Sequence, residues 1–100
     1  MVYDLTEKLR FDEDPVLVVK DVRLTVRSDA ETVLTLVDTL REKGEAAGAK
    51  EAARLLLSDG DRKKLAGLKL RMDDYMRVMA AAVRLALGGD PDEEEEAQGE

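Results

Sequence analysis

The sequence predicts a small α+β domain, mostly helical, in which an N-terminal β-hairpin precedes about four helices. Two short runs of β-branched and alternating residues near the N-terminus predict the hairpin, and apolar residues at a spacing of three to four predict the helices. The last residues are almost all acidic and cannot bury a core, which predicts a disordered tail. We therefore expect one domain over residues 1–89 and a tail over residues 90–100.

Composition excludes several classes of function. Seven of the 23 acidic residues lie in residues 90–100, so the other 16 acids match the 16 Lys and Arg residues and the body is neutral. A neutral body gives no general attraction to nucleic acid or to an anionic membrane, and we expect neither as a partner. The chain has neither Cys nor His, which excludes disulfides, the usual zinc sites and His-dependent catalysis.

Hydropathy indicates no membrane segment. No apolar run approaches the roughly 20 residues that a membrane-spanning helix needs. No signal peptide precedes Leu5, so the expected location is the cytoplasm.

Residues 1–14 form an arm of mixed character. Apolar residues are spaced among charges at Tyr3, Leu5, Leu9 and Phe11. Such an arm either packs onto the body or binds a partner, and we favour packing onto the body. Pro15 ends the arm because its fixed φ sets where a strand can start.

The hairpin is predicted over residues 16–27. A β-branched run begins at Val16, and after Lys20 and Asp21 the second run alternates strictly. Its apolar side holds Val22, Leu24 and Val26, and its polar side holds Arg23, Thr25 and Arg27. A lone hairpin is marginal in water, so this one must lie on the helices or pair with another strand.

The first helix is predicted over residues 28–43. Ser28 and Glu31 have the spacing of a capping box, in which each side chain bonds the backbone of the other residue. Gly44 is placed to end the helix. Its apolar face is predicted to hold Ala30, Val33, Leu34, Val37 and Leu40.

Two shorter helices follow, over residues 45–57 and 59–66. The second helix carries mainly small residues on one face, namely Ala49, Ala52, Ala53 and Leu56. Small side chains allow another backbone to approach closely. Ser58 and Asp61 repeat the capping spacing at the start of the third helix, and Gly67 is expected to break it.

The final helix, over residues 72–87, is the most apolar element. Its apolar residues cover an arc of roughly 200°, whereas a surface helix needs an apolar stripe of about 100°. It is therefore either the central helix of the domain or also an assembly surface. Methionine suits surfaces that accept several shapes, although it often simply fills a core. The candidate interaction residues are Met72, Met76, Met79, Val83 and Leu87.

Three polar clusters are better explained as caps or solvated faces than as sites. After Asp59-Gly60-Asp61, a calcium loop would need ligands at the positions of Lys63 and Leu70. The basic triplet 62–64 carries too little charge for a typical reader of duplex DNA. Asp73, Asp74 and Tyr75 suit a helix N-terminus. No nucleophile, base and orienting group can be assembled, so we expect no enzyme, no cofactor and no metal.

The whole chain resembles the small tail assembly chaperones of long-tailed phages and prophages of Gram-positive bacteria. The resemblance rests on the opening, the segment after the hairpin, two apolar stretches and the Gly-rich acidic ending. These are Leu5-Thr6-Glu7-Lys8-Leu9 with Phe11, Ser28-Asp29-Ala30-Glu31-Thr32-Val33-Leu34, Leu55-Leu56-Leu57-Ser58, Leu68-Lys69-Leu70 leading to Asp74-Tyr75-Met76, and Gly88-Gly89.

The resemblance implies a non-enzymatic role in virion assembly. Such chaperones bind the long helical tape-measure protein, keep it from aggregating and help tail-tube subunits assemble around it. A homo-oligomer is expected as well. Two alternatives stay open: a small dimeric cytoplasmic regulator, antitoxin-like or DNA-binding, and an oligomeric structural protein that remains in the particle.

Overall fold

A computed structural model describes residues 1–9, 11 and 13–89, and it has the predicted fold class. A short 3₁₀ helix (Thr6–Lys8) precedes the hairpin, and four helices follow it. The hairpin strands are β1 (Val16–Val19) and β2 (Val22–Thr25); the helices are α1 (Ala30–Glu42), α2 (Glu45–Leu56), α3 (Asp59–Gly67) and α4 (Met72–Ala86). The tail predicted over residues 90–100 lies outside the described residues.

The hairpin has the predicted two-residue turn and the predicted faces. Its strands are antiparallel, with Val16 opposite Thr25 and Val19 opposite Val22. Lys20 takes the left-handed φ of 57° that the turn requires, although Gly is the usual residue there. The apolar side of β2 is confirmed as the buried side, and Leu24 is fully buried.

The predicted capping box at the start of α1 is wrong by one residue. Asp29 is the N-cap, and its Oδ2 accepts a hydrogen bond from the backbone N–H of Thr32 at 3.1 Å. That bond lowers the pKa of Asp29, since it favours the charged carboxylate. The Ser28 hydroxyl instead donates to Asp14 Oδ1 at 2.9 Å. A contact with the arm therefore decides which of two suitable neighbours caps the helix.

The buried side of α1 also differs from the prediction. Leu36, which was not assigned to the apolar face, is fully buried, whereas Leu34 and Leu40 are exposed. The apolar residues of α1 span a wide arc, and α1 packs mainly against α2, so only one edge of that arc is covered.

The core lies between the hairpin, α2 and α4. Helix α4 contacts α2 on one side and β1 on another, which gives it the central position that its wide apolar arc allows. The buried apolar residues are Leu24, Val26, Leu36, Ala49, Ala52, Ala53, Leu56, Leu57, Leu65, Met79, Ala82 and Ala86. The small face predicted for α2 is thus confirmed.

Backbone bonds tie β2 to the end of α2 and to α3. The N–H of Thr25 donates to Asp61 Oδ2 at 2.9 Å, and the N–H of Arg27 donates to the carbonyl of Leu56 at 2.9 Å. Arg27 Nη1 also bonds the carbonyl of Leu55. Ser58 caps α3 as predicted, accepting from the N–H of Asp61.

The connection between α3 and α4 turns at a lysine. Gly67 is the last residue of α3, and Lys69 adopts the left-handed φ of 52° that changes the chain direction. Gly88, with a φ of 88°, follows α4 as its predicted ending. None of the described helices combines the length and apolarity that crossing a membrane demands.

The described residues of the arm are exposed. Six large apolar side chains, Met1, Val2, Tyr3, Leu5, Leu9 and Phe11, lie outside the core. The favoured expectation that the arm packs onto the body is therefore wrong for residues 1–9 and 11, although Asp14 at the end of the arm accepts a bond from Ser28. Too few apolar residues lie in succession to cover a face of the helices, and the charges between them favour water.

Candidate protein-interaction groove

An open apolar groove of about 380 Å³ lies between α2 and α4, beside the end of α1; we refer to it as the α2–α4 groove. Its lining is almost entirely apolar or small. The lining residues are Leu40, Lys43, Gly44, Glu45, Gly48, Ala49, Ala52, Met76, Met79, Ala80 and Val83.

The wall formed by α2 is low because its side chains are small. Gly48 and Ala49 lie about one turn before Ala52 on the same face of the helix, and all three are buried. A Cβ atom at Gly48 would lie 2.9 Å from Leu40 Cδ2, so the tip of the Leu40 side chain packs directly on α2 there. The small residues keep this wall low, and the Leu40 side chain lies beside it in the groove lining.

The wall formed by α4 is higher and more adaptable. Met76 and Val83 are half-buried, Ala80 is exposed, and Met79 forms the floor with 3% of its surface exposed. Methionine side chains are flexible and polarisable, so this wall can adjust to the shape of a ligand.

The structure brings three of the five predicted interaction residues into this groove. Met76, Met79 and Val83 line it, but Met79 is first a core residue and is nearly inaccessible in the isolated chain. Met72 is 58% exposed in the first turn of α4 and does not line the groove. Leu87 lies at the other end of α4, beside Pro15 and Ser28.

Sequence reasoning did not assign the α2 wall or Ala80 to the site. The small residues of α2 were recognised as a surface for close approach, but their pairing with α4 depends on tertiary packing. Ala80 sits among the charged residues of α4 in the sequence pattern, which concealed its position at the groove.

Of the two charged residues that line the groove, Lys43 and Glu45, the lysine is paired. Lys43 Nζ lies 3.8 Å from Glu51 Oε2, and Arg54 donates two hydrogen bonds to Glu51 Oε1 at 2.9 and 2.6 Å. The bonds from Arg54 lower the pKa of Glu51 and raise that of Arg54. Nine of the eleven lining residues are apolar or glycine, so apolar burial is the main source of binding energy in the groove.

The polar clusters singled out from the sequence take part in local pairs. Arg62 pairs with Asp59, and Lys64 Nζ lies 3.9 Å from Asp61 Oδ1, so acids on the same helix meet two of the three basic residues. Asp73 Oδ1 accepts the N–H of the next residue at 3.0 Å. Within residues 1–9, 11 and 13–89, no three acidic side chains converge as a metal site would require.

Comparison with known proteins gives no match: no protein-family model, no curated protein and no solved structure is significantly similar to this chain. The resemblance to tail assembly chaperones therefore stays a hypothesis. The α2–α4 groove is the feature from which a function can be argued.

Proposed function

We propose that this protein is a non-enzymatic assembly chaperone that holds an amphipathic helix of a partner in the α2–α4 groove. The observation that carries the proposal is the groove itself, an open apolar channel with a low wall of small residues on α2 and a wall on α4 that includes the flexible Met76. Docking of an amphipathic helix into an apolar groove is a common mode of peptide recognition.

The chemistry of the groove suits a helix better than a small polar ligand. Gly48, Ala49 and Ala52 permit close approach, while Met76 and Val83 offer apolar contacts spaced by two turns of α4. A partner with apolar residues at positions i, i+3 and i+4 presents a matching row of side chains. Few directed polar groups line the groove, so it selects for apolar pattern more than for one sequence.

The resemblance to tail assembly chaperones suggests which partner the groove would bind. Long helical tape-measure proteins expose apolar seams until they are assembled, and a chaperone that covers such seams prevents their aggregation. The proposed partners are therefore a tape-measure protein and, through it, the tail-tube protein. No catalytic or cofactor role is part of the proposal.

Co-expression with the long helical protein whose gene lies nearest to the gene for this chain tests the proposal. The wild-type chain is expected to increase the soluble fraction of the long protein and to co-purify with it. Ala80→Glu places a charge at the groove without altering the core, and it should abolish co-purification.

Ala47→Glu is the matched control, because Ala47 is an exposed alanine on the side of α2 that faces away from the groove. It should co-purify as the wild type does. Equal loss with both variants would mean that the groove is not the binding surface. Failure of the wild-type chain to solubilise any such protein would overturn the chaperone proposal, and DNA binding would then be measured.

A further inference from the structure

The two edges of the hairpin differ in how their backbone groups are satisfied. The outer edge of β2 is closed, since the N–H groups of Thr25 and Arg27 donate to Asp61 and to the carbonyl of Leu56. The outer edge of β1 has no such cover among the described residues. The edge of β1 is therefore the more open of the two edges, because the edge of β2 is covered from Thr25 onward.

The register shows which groups of β1 point outward. The N–H of Val26 donates to the carbonyl of Pro15 at 2.9 Å, which makes that pair a hydrogen-bonded one. Hydrogen-bonded and non-hydrogen-bonded pairs alternate along an antiparallel ladder, so Val16 and Val18 direct their N–H and C=O groups away from β2. Pro15, which lacks an N–H, faces β2 and does not interrupt the outer edge.

The side chains on this edge do not protect it. Val16 and Val18 are 42% and 54% exposed, and no charged residue or proline lies within β1. Exposed edges are usually blunted by charges, proline or covering elements, because their unpaired groups otherwise recruit another strand. Because β1 itself carries neither charge nor proline, its outward N–H and C=O groups are free to pair with another strand over its four residues.

We propose that β1 pairs with β1 of a second copy of this chain, antiparallel about a two-fold axis at Leu17, to form a four-stranded sheet. Only outward-facing residues can exchange bonds, so Val16 lies opposite the partner's Val18 and the reverse holds by symmetry. This register places Asp14 opposite the partner's Lys20 at both ends of the strand pair. Shifting the register by two residues in either direction separates these opposite charges.

The space beside β1 accommodates the second strand. A cavity of about 440 Å³ lies between β1 and the side of α4 that carries Val78 and Ala81. In the proposed pairing, the partner's Leu17 points to the face of the sheet that packs on α4 and enters this space. The dimer surface lies on a different side of α4 from the α2–α4 groove, so it does not depend on the proposed function.

The strand pair is short, so the dimer is expected to be weak. A contact of four residues per copy and their neighbours is smaller than the roughly 1,200 Å² of small stable interfaces, so we expect weak association, with a Kd on the order of 10–100 µM. Sedimentation equilibrium over a concentration range spanning this Kd should show the mass rising toward twice 11.1 kDa.

Val18→Pro tests the backbone contact. It removes an outward N–H while leaving the bonds between β1 and β2 in place, and the chain is expected to stay monomeric throughout. Arg23→Pro is the matched control, because Arg23 lies opposite Val18 in the same pair but on the other edge. It should dimerise as the wild type does, and thermal melting shows whether either proline harms the fold.

A charge exchange tests the register. Lys20→Asp and Asp14→Lys each put like charges opposite one another at both ends and should raise Kd roughly tenfold. The double variant restores opposite charges and should recover the wild-type Kd. Hydrogen exchange gives a separate readout, since the amides of Val16 and Val18 should become protected only as concentration rises.

Three results would overturn the proposal. The first is a wild-type chain that stays monomeric up to millimolar concentration. The second is an oligomer that Val18→Pro does not weaken while Val16 and Val18 stay unprotected, because association would then use another surface. The third is a double charge variant no better than the single variants, which would exclude this register.

Discussion

The α2–α4 groove and the open edge of β1 lie on different sides of α4 and present different parts of the chain. The groove is built from side chains of α2 and the end of α1, which adjoin in sequence, and from side chains of the distant helix α4. The edge is built from the backbone of four consecutive residues, Val16–Val19. Both surfaces exist because α4 packs against α2 on one side and against β1 on another, and neither neighbour covers its apolar residues completely.

Because one surface consists of side chains and the other of backbone groups, the two surfaces select their partners differently. Apolar side chains of adjustable shape accept many partners that carry the right pattern. A backbone ladder accepts few registers, because each shift by one residue reverses the faces of the strand. Substitutions should therefore act differently on the two surfaces: a buried charge damages the groove, whereas proline or a reversed charge damages the edge.

The largest expected effect is that of Met79→Glu at the floor of the groove. Met79 is 3% exposed, so the substitution places a carboxylate in the core and should lower the free energy of unfolding by about 3–5 kcal/mol. Urea denaturation followed by circular dichroism measures this. Met72→Glu is the matched control on the same helix at 58% exposure, and it should change stability by less than about 0.5 kcal/mol. A stable Met79→Glu chain would show that Met79 is not core.

A smaller effect is expected when the closed edge of the hairpin is opened. Asp61→Ala removes the acceptor of the Thr25 N–H and should lower stability by about 1–2 kcal/mol. Asp59→Ala is the control, because Asp59 forms only an exposed pair with Arg62 and should cost less than about 0.5 kcal/mol. Both are measured by urea denaturation.

Asp61→Ala also tests whether the bond from Thr25 to Asp61 keeps the outer edge of β2 from pairing with another strand. Once β2 is uncovered, the hairpin has two open edges, and self-association beyond a dimer should appear in sedimentation at high concentration. Association limited to a dimer would mean that α3 still covers β2 without the bond to Asp61.

Local sequence signals predicted the elements but not the choices that tertiary contacts make. The hairpin turn, the ends of the helices within one or two residues and the small face of α2 all follow from patterns over a few residues. The cap of α1 does not, because Ser28 and Asp29 are both good caps and a bond from Ser28 to Asp14 decides between them. Leu36 was missed because the spacing of apolar residues shows which side of α1 is apolar, but not which part of that side α2 covers.

The same limit applies to the candidate site. Helical spacing put Met76, Met79 and Val83 on one side of α4, and these residues do line one groove. Spacing along α4 says nothing about the opposite wall. Which methionine would form the floor depended on how α2 packs against α4, and spacing along α4 alone does not give that packing.

The smallest effect on stability among the groove substitutions is expected for Gly48→Ala. This substitution tests whether partner binding can be weakened while stability is kept. Alanine favours the helix by about 1 kcal/mol over glycine. The new methyl group meets only Leu40 Cδ2, the end of a flexible and partly exposed side chain, which can move away. The two effects should leave stability unchanged or raised by less than about 1 kcal/mol.

Binding should respond differently from stability to this substitution. The methyl group and the displaced Leu40 both enter the α2–α4 groove, because both residues line it. We expect weaker co-purification of the helical partner from a chain that is as stable as the wild type, with dimerisation through β1 unchanged. A loss of stability beyond about 1 kcal/mol would show instead that Leu40 cannot yield and that the methyl group forces α1 and α2 apart. In that case Gly48 is required for the packing of α1 on α2, and the low wall of the groove is a consequence of that packing.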